Sequence, residues 1–176
     1  MKVILYMAIT VNGMIAKEDD DTSFVSETEL ESFDAAIKHA GNIIVGRRTY
    51  EVMKENNEFN EVDALRGTRV VVVTNGDMLS LLSENHSIST EPKQALYVLE
   101  NEGFREALVA GGGMLNGSFM QENLLDEIYV DVEPIILGKG IKLFGDKEFE
   151  AKLELLGVRK LNSNIIQLHY KILSGK

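Results

Sequence analysis

The sequence reads LVAGGGMLNGSFMQENLLDEIYVDVEPIILG from Leu108 to Gly138, and this stretch decides the fold. It contains a short apolar run, three consecutive glycines, a helix-forming segment from Met114 to about Glu122 and a long alternating run. These features predict a strand, a turn, a helix and a second strand in succession. We therefore predict an α/β fold organised around the glycine turn.

The glycine turn, formed by Gly111, Gly112 and Gly113, has two interpretations. Its backbone carries no Cβ atoms, and the following helix directs unpaired N–H groups and its positive end toward the turn, which favours an anion such as a pyrophosphate. The dinucleotide pattern G-x-G-x-x-G is met only in part, because Asn116 occupies the last glycine position. In the alternative interpretation, the glycines only permit a tight turn and close packing.

The composition of the chain excludes several classes of protein. The chain has 176 residues, and its 28 acidic and 18 basic side chains give a net charge of −10, which repels nucleic acid in the absence of a basic stripe. No apolar run approaches the roughly 18 residues of a membrane span, and we expect a cytoplasmic protein without a membrane partner. There is no cysteine and there are three scattered histidines, so we expect no metal site.

Apolar runs and turn residues predict a single domain, residues 1–176, built in three layers. We predict strands at Lys2–Thr10, Asn42–Val45, Arg69–Thr74, Lys152–Leu161 and Ile165–Leu173, and helices from Ser26 to Gly41 and from Pro92 to Glu102. Glu55–Asp63 is interpreted as a polar surface connection, and Leu79–Ser89 fits no pattern. The predicted class is α/β, with a mostly parallel central sheet, helices on both faces and an antiparallel C-terminal hairpin.

Two periodic segments predict which side chains face the core. In the first helix, Leu30, Phe33 and Ile37 at helical spacing define a buried stripe. In the strand after the glycine turn, apolar residues alternate with polar ones such as Asp131 and Glu133. This alternation predicts a half-buried strand with the polar side chains on its other face.

A second strand-to-helix turn contains Gly46, Arg47, Arg48 and Thr49. The helix dipole disfavours basic side chains at a helix start, so their placement there indicates an anionic partner. The alternative interpretation is that Arg47 and Arg48 form an exposed basic pair without a ligand.

Two polar segments have both a functional and a structural interpretation. Thr74 and Asn75 follow a strand, at the edge where open α/β sheets bind ligands, or they only close a loop. The acidic run from Lys17 to Ser23 is interpreted as a solvated loop, and a Mg²⁺ site at its three consecutive aspartates is the alternative.

Six segments in the same order resemble a known family. They are Asn12-Gly13-x-Ile15-Ala16, Asp21-x-Ser23-Phe24-Val25-Ser26, Ile44-Val45-Gly46-Arg47-x-Thr49, Val71-Val-Val-Thr74, Val109-Ala-Gly-Gly-Gly113, and Leu125-Asp-Glu127 with Pro134-Ile-Ile-Leu-Gly138. Together they resemble the dihydrofolate reductase superfamily, and within it the reductase domain of riboflavin biosynthesis, which is the C-terminal domain of the bifunctional deaminase-reductase. The resemblance covers nearly the whole chain.

The resemblance implies NADPH as hydride donor, a small heterocyclic substrate of the pyrimidine or pterin type, and a homodimer. The implied cofactor-binding residues are Ala8, Ile15, Gly46, Arg47, Arg48, Thr49, Thr74, Asn75, Ala110, Gly111, Gly112, Gly113, Met114 and Leu115. The implied substrate-binding residues are Asn12, Ser23 and Phe24. Hydride transfer mainly requires the protein to position two rings and exclude water, which accounts for the absence of an obvious catalytic triad.

The chain departs from this family at two places. Ala110 stands where riboflavin-pathway reductases commonly carry glutamate, and Lys54–Phe59 replaces their Asp-Asp-Pro segment. Both differences fall on the phosphoribosyl-pyrimidine pocket. Dihydrofolate reductases carry a carboxylate in the first long helix, and counting back from the Gly-Arg-x-Thr motif reaches Leu30, between Glu29 and Glu31.

Reduction of a C=N or C=O bond requires a proton as well as a hydride. Helix geometry favours Glu27 and Asp34 as proton donors, because they lie near the predicted buried stripe at i−3 and i+4 from Leu30. The alternative is that these side chains are solvated surface carboxylates. The working hypothesis is an NADPH-dependent reductase. Its rivals are an NADP(H)-binding protein with little or no reductase activity and a purely structural acidic domain.

Overall fold

The computed structural model describes residues 1–76, 80–81 and 83–173. Its strands are β1 (Lys2–Thr10), β2 (Met14–Ala16), β3 (Asn42–Gly46), β4 (Arg69–Val73), β5 (His86–Ser89), β6 (Glu106–Val109), β7 (Glu127–Glu133), β8 (Ile141–Lys142), β9 (Lys152–Lys160) and β10 (Ile166–Leu173). Its helices are α1 (Glu27–Ala40), α2 (Arg47–Glu55), α3 (Glu58–Glu61), α4 (Pro92–Asn101) and α5 (Gly113–Gln121). Within the described ranges, no helix is long and apolar enough to cross a membrane.

An eight-stranded sheet runs through the molecule in the order β5-β4-β3-β6-β1-β7-β10-β9. The strands from β5 to β7 in this order are parallel, and β10 is antiparallel to both β7 and β9. A separate small sheet pairs β2 with β8. The predicted mostly parallel sheet and antiparallel C-terminal hairpin are confirmed. The parallel strands bring their carboxyl ends to one edge of the sheet.

Helices cover both faces of this sheet. On one face, α4 and α5 pack against a core that includes Leu5, Leu99 and Phe119. On the other face, α1, α2 and α3 surround a core that includes Ile37 and Tyr50. The central strands are apolar on both sides because both sides are covered. The three predicted layers are therefore confirmed.

The first helix begins and ends at the predicted residues. The Ser26 hydroxyl accepts the backbone N–H of Glu29 at 3.2 Å, and Gly41 ends the helix in the left-handed conformation with φ of 69°. The Ser26 cap satisfies one of the N–H groups that every helix start leaves unpaired. The residue directly before α1 thus caps the start of this helix.

The buried stripe of α1 differs from the prediction. Leu30 is 51% exposed, whereas Glu29 is 3% exposed. The inward residues are Glu29, Phe33 and Ile37, which are four residues apart and share one face. The prediction that Leu30 lies in this stripe is wrong, because Phe33 and Ile37 fit a stripe that begins at Glu29 equally well. A carboxyl group therefore faces the sheet from α1.

Both faces of β7 are buried, so the prediction of a half-buried strand is wrong. Asp131 is 0% exposed and Glu133 is 2% exposed. The start of α1 covers this face, where Ser26 donates its backbone N–H and its hydroxyl to Glu133 Oε1 at 3.0 and 2.8 Å. The alternating pattern predicts this strand over Glu127–Leu137 with an edge or bulge near Pro134, but β7 ends at Glu133 because Pro134 has no backbone N–H for the ladder. Alternation in the sequence shows that a strand has two faces, but not what covers them.

Four short elements are missing from the sequence prediction: α3, β5, and the strands β2 and β8 of the small second sheet. The connection Glu55–Asp63 contains α3, and its Phe59 is 7% exposed and packs into the core. β5 lies at the end of Leu79–Ser89, of which Leu79 and Leu82 lie outside the described residues. α3 and β5 are too short and too polar to produce a periodic pattern, and β2 and β8 span only three and two residues.

Candidate cofactor and substrate site

The two predicted strand-to-helix turns lie side by side at the carboxyl edge of the sheet. β3 and β6 are neighbours, and the backbone N–H of Gly46 donates to the carbonyl of Gly111 at 2.7 Å. The peptide bond between Gly111 and Gly112 is cis. As a result, α2 and α5 begin next to each other, one on each face of the sheet.

Neither of these two helix starts is capped by a side chain. The N-cap residues are Gly46 for α2 and Gly112 for α5, and neither makes a side-chain capping hydrogen bond. Their first N–H groups and positive dipole ends remain directed at the same region, in contrast to the capped start of α1. Two adjacent uncapped starts favour an anion with more than one phosphate group.

The three glycines of the turn have different roles. Gly111 has φ of +94°, a conformation that favours glycine. A Cβ on Gly113 would lie 2.3 Å from the carbonyl oxygen of Lys142, so this glycine permits close packing of backbone on backbone. Gly112 has an ordinary φ of −76°, and a Cβ there would meet only the Thr49 hydroxyl, at 3.2 Å. The packing interpretation therefore holds at Gly113, while Gly112 borders a cavity.

A cavity of about 650 Å³ opens beside the paired turns. Most of the predicted cofactor-binding residues line it: Ile15, Gly46, Arg47, Arg48, Thr49, Thr74, Asn75, Ala110, Gly112, Gly113, Met114 and Leu115. Ala8 and Gly111 are not among its lining residues. Residues that are distant in sequence thus meet around one space, as the parallel order of the strands requires.

The three predicted substrate-binding residues are not among the residues that line this cavity. The side-chain amide of Asn12 donates to the Leu137 carbonyl at 2.6 Å and accepts the Leu137 N–H at 3.2 Å, which joins two loops. Ser23 donates its N–H and hydroxyl to Asp21 at 2.8 and 2.9 Å, and Phe24 is half-buried. Their role in substrate binding stays a prediction.

Both arginines of the second turn line the cavity and have acidic partners. Arg47 Nε donates to Glu51 Oε1 at 2.8 Å within α2. Arg48 Nε donates to Asp20 Oδ2 at 2.8 Å and so connects α2 to the acidic loop. Asp20 and Thr22 line the cavity, so this loop forms a wall and is more than a solvated connection. No group of side chains suited to a metal ion is found in the described part of the chain.

Sequence reasoning missed the part of the lining that comes from the helices. Phe33 of α1, Val52 and Met53 of α2, and Glu58 of α3 all face the cavity. No local motif marks these residues, because their placement depends on how three helices pack on the sheet. Burial raises the pKa of Glu58 above its ordinary value, while a hydrogen bond from Asn56 opposes this shift.

Glu29 is the most perturbed carboxyl near the cavity. Burial raises its pKa to about 8, and the neighbouring carboxyls of Asp131 and Glu133 add to this shift. The pKa of Asp131 is also raised by burial, although the Tyr6 hydroxyl donates to its Oδ2 at 2.6 Å. Glu29 does not itself line the cavity, but it lies on the same face of α1 one helical turn before Phe33, which does.

The two predicted proton donors lie in different surroundings. Glu27 is exposed in the first turn of α1, and neither it nor Asp34 lines the cavity. Asp34 is half-buried, and burial raises its pKa while Lys38 lowers it. The sequence did contain a signal for Glu29. Counting back from the Gly-Arg-x-Thr motif to the carboxylate position of dihydrofolate reductases reached Leu30, which is next to Glu29.

Comparison with known proteins agrees with this geometry. The sequence-family model of the RibD C-terminal domain matches residues 1–167 of this chain. The uncharacterized protein YwjB of Bacillus subtilis (strain 168) is 33% identical over 173 residues, which cover 96% of this chain and 97% of that protein.

Two solved structures share the fold. A putative riboflavin biosynthesis protein from Shewanella sp. PV-4 has a TM-score of 0.80 at 21% identity, covering 99% of this chain and 100% of that one. The diaminohydroxyphosphoribosylaminopyrimidine deaminase/5-amino-6-(5-phosphoribosylamino)uracil reductase of Thermotoga maritima has a TM-score of 0.76 at 17% identity, covering 98% of this chain and 56% of that one. The resemblance seen in the sequence motifs is confirmed, and the chain belongs to the RibD C-terminal domain family.

Proposed function

We propose that this protein is an NADPH-dependent reductase of a small heterocyclic substrate of the pyrimidine or pterin type. The observation that carries the proposal is the pair of uncapped helix starts, those of α2 and α5, beside one cavity. The Thermotoga maritima protein with the same fold has 5-amino-6-(5-phosphoribosylamino)uracil reductase in its name, which supports a reductase of this kind.

The cavity residues fit the phosphate groups of NADPH. The backbone at Gly112, with the Thr49 hydroxyl beside it, would hold the pyrophosphate at the two helix starts. Arg47 lies against the turn after β4, where it would bind the phosphate on the adenosine ribose together with Thr74 and Asn75. The volume of about 650 Å³ is suited to a ligand of this class. When bound, the dinucleotide supplies a hydride from its nicotinamide ring.

We propose Glu29 as the proton donor, in place of Glu27 and Asp34. With a pKa of about 8, Glu29 holds its proton at neutral pH, as a general acid must. In the reduction of a C=N bond, the hydride adds to carbon and the Glu29 proton adds to nitrogen. Glu29 then regains a proton from water, which restores the starting state.

Two measurements test the proposed function. Calorimetry should show that NADPH binds, and more tightly than NADH, because Arg47 and Arg48 give an acidic protein a local match for the additional phosphate. Equal affinities would contradict the phosphate assignment, and absence of NADPH binding would overturn the whole proposal. Oxidation of bound NADPH by a pterin or pyrimidine, followed by absorbance, tests the reductase activity.

An NADP(H)-binding protein with little or no reductase activity is the second candidate. It is favoured by Ala110, which lines the cavity at the position where riboflavin-pathway reductases commonly carry glutamate. Tight NADPH binding without turnover of any pterin or pyrimidine would support this candidate over the first. We also propose that the protein forms a homodimer, as its family resemblance implies, and sedimentation velocity tests this.

A further inference from the structure

The C-terminal hairpin, made of β9 and β10, has one apolar face. Opposite residues of an antiparallel pair lie on the same face, so the pairing of β10 with β7 and β9 assigns each side chain to a face. Leu168 lies opposite Val130, which belongs to the core under α4 and α5. The side chains on this side, which we call the hairpin face, are Leu153, Leu155 and Val158 of β9 and Ile166, Leu168, Tyr170 and Ile172 of β10, with Lys160 at the end of β9.

The other face of the hairpin is charged. It carries Lys152, Glu154, Arg159 and Lys171. A bulge keeps the two halves of β9 in phase, because Gly157 pairs with His169 and Leu155 with Tyr170, which leaves Leu156 without an opposite residue. The hairpin therefore has the alternating pattern of a sheet that is buried on one face and solvated on the other.

A single copy of the chain does not bury the hairpin face. No residue of β9 is buried, and the side chains of Leu153, Leu155, Val158 and Ile166 are between 39% and 59% exposed. β9 is also the last strand of the sheet, so one of its edges has no strand partner in the described part of the chain. Over the central strands, α4 and α5 cover this side of the sheet. An uncovered apolar face beside an open strand edge marks a surface for another molecule.

The hairpin face has the size of the apolar centre of a homodimer interface. Its side chains expose on the order of 400 Å² of apolar surface, which is the scale of patches that mark interaction sites. A stable homodimer buries about 800 Å² per copy, of which about 65% is apolar. The hairpin face thus supplies most of the apolar area that a stable homodimer needs.

Charge favours a second copy of this chain as the partner. Residues 152–173 contain four basic side chains and one acidic one, in a chain of net charge −10. The segment before β9 carries the exposed Glu148 and Glu150 and runs beside α5, where Gln121 donates its side-chain amide to the Glu148 carbonyl at 3.4 Å. A two-fold arrangement that lays each β9 toward the α5 side of the other copy would bring Lys160 near this acidic segment.

We propose that the hairpin face is the interface of the homodimer, in which the hairpin faces of two copies pack against each other about a two-fold axis. The same apolar surface serves both copies, as a two-fold interface requires. This inference goes beyond the proposed function, because it depends neither on NADPH nor on reductase activity. It gives the homodimer a defined surface.

The first test compares matched substitutions on the two faces of the hairpin by sedimentation velocity. Leu155→Glu should weaken the dimer at least about a hundredfold, because the carboxylate would be buried without a partner. Leu173→Glu is the control and should remain a dimer, since Leu173 is 41% exposed and lies opposite Lys152 on the charged face. Both leucines are exposed in a single copy, so both variants should keep the wild-type circular dichroism spectrum.

The second test uses the absence of cysteine from the chain. Val158→Cys and Leu173→Cys each introduce one thiol, and its rate of reaction with a thiol reagent is measured. Val158 is 59% exposed in a single copy, so a monomer would react at least as fast at this position as at Leu173. In the proposed dimer, Val158→Cys should react at least about tenfold more slowly than Leu173→Cys.

Two results would overturn the inference in different ways. A wild-type protein that sediments as a monomer would overturn it together with the homodimer, and would leave the hairpin face to a different protein or a lipid surface. A wild-type dimer that survives Leu155→Glu, or that leaves the Val158→Cys thiol as reactive as the Leu173→Cys thiol, would place the dimer interface elsewhere on the molecule.

Discussion

Two regions of the molecule respond to charge in opposite ways. At the paired turns, α2 and α5 begin without side-chain caps, so their backbone N–H groups favour an anion. At the start of α1, Glu29 is buried beside Asp131 and Glu133, and these surroundings raise its pKa and disfavour its negative charge. The comparison indicates how a protein with net charge −10 would accommodate the proposed anionic cofactor: the attraction would come from local backbone dipoles and act within one helical turn.

The largest effect is expected inside the glycine turn itself. Gly113→Ala should lower the free energy of unfolding by about 3 kcal/mol, because the new Cβ would overlap the Lys142 carbonyl, which is backbone and cannot move aside cheaply. Gly112→Ala is the matched variant, since it has an ordinary φ and a single close contact at 3.2 Å. It should fold and lose NADPH affinity. Denaturant unfolding and calorimetry measure the two effects, and an equally destabilised Gly112→Ala would contradict the distinction.

The next largest effect concerns Glu29, the proposed proton donor. Glu29→Gln should reduce turnover by about a hundredfold, because the amide cannot donate an acidic proton. In the wild type, turnover should fall as pH rises through the Glu29 pKa of about 8, and the variant should lack this dependence. Glu31→Gln, an exposed change on the same helix, is the control. A wild-type pH profile in Glu29→Gln would assign the proton to water or to another residue.

A smaller effect is expected at the start of α2, the proposed phosphate site. Arg47→Ala should weaken NADPH binding by roughly ten- to a hundredfold, the usual loss for one charge-assisted contact. Binding of NADH should change little, since NADH lacks the phosphate on the adenosine ribose. Calorimetry with both dinucleotides separates this specific loss from a general disturbance of α2. An unaltered ratio of the two affinities would remove Arg47 from the phosphate site.

A further effect is on stability as a function of pH. The folded-state pKa of Glu29 is raised to about 8 from an ordinary value of 4.5, so the folded protein holds a proton that the unfolded chain releases between these values. The contribution of Glu29 is therefore fully present below pH 4.5 and is lost as pH rises to about 8. The Tm of Glu29→Gln should therefore rise relative to that of the wild type as pH increases over this interval. A constant difference would argue that Glu29 is ionised in the folded protein.

Sequence reasoning was most successful where the determinants are local. The Ser26 cap, the Gly41 stop and the glycine turn each depend on a few consecutive residues, and the structure places all of them as predicted. The burial of Glu29 was harder to predict. Phe33 and Ile37 allow a helical stripe through either Leu30 or Glu29, and only the packing of α1 on β7 selects Glu29.

The sequence by itself determined the order of strands, turns and helices, and with it the backbone part of the site, because strand runs, caps and glycine turns are encoded by neighbouring residues. The tertiary structure alone decided which carboxyl groups became buried and which side chains line the cavity. Asp131 and Glu133 alternate along β7 as surface residues would, yet α1 covers them. Burial depends on elements far apart in the chain, and so does the chemistry of Glu29.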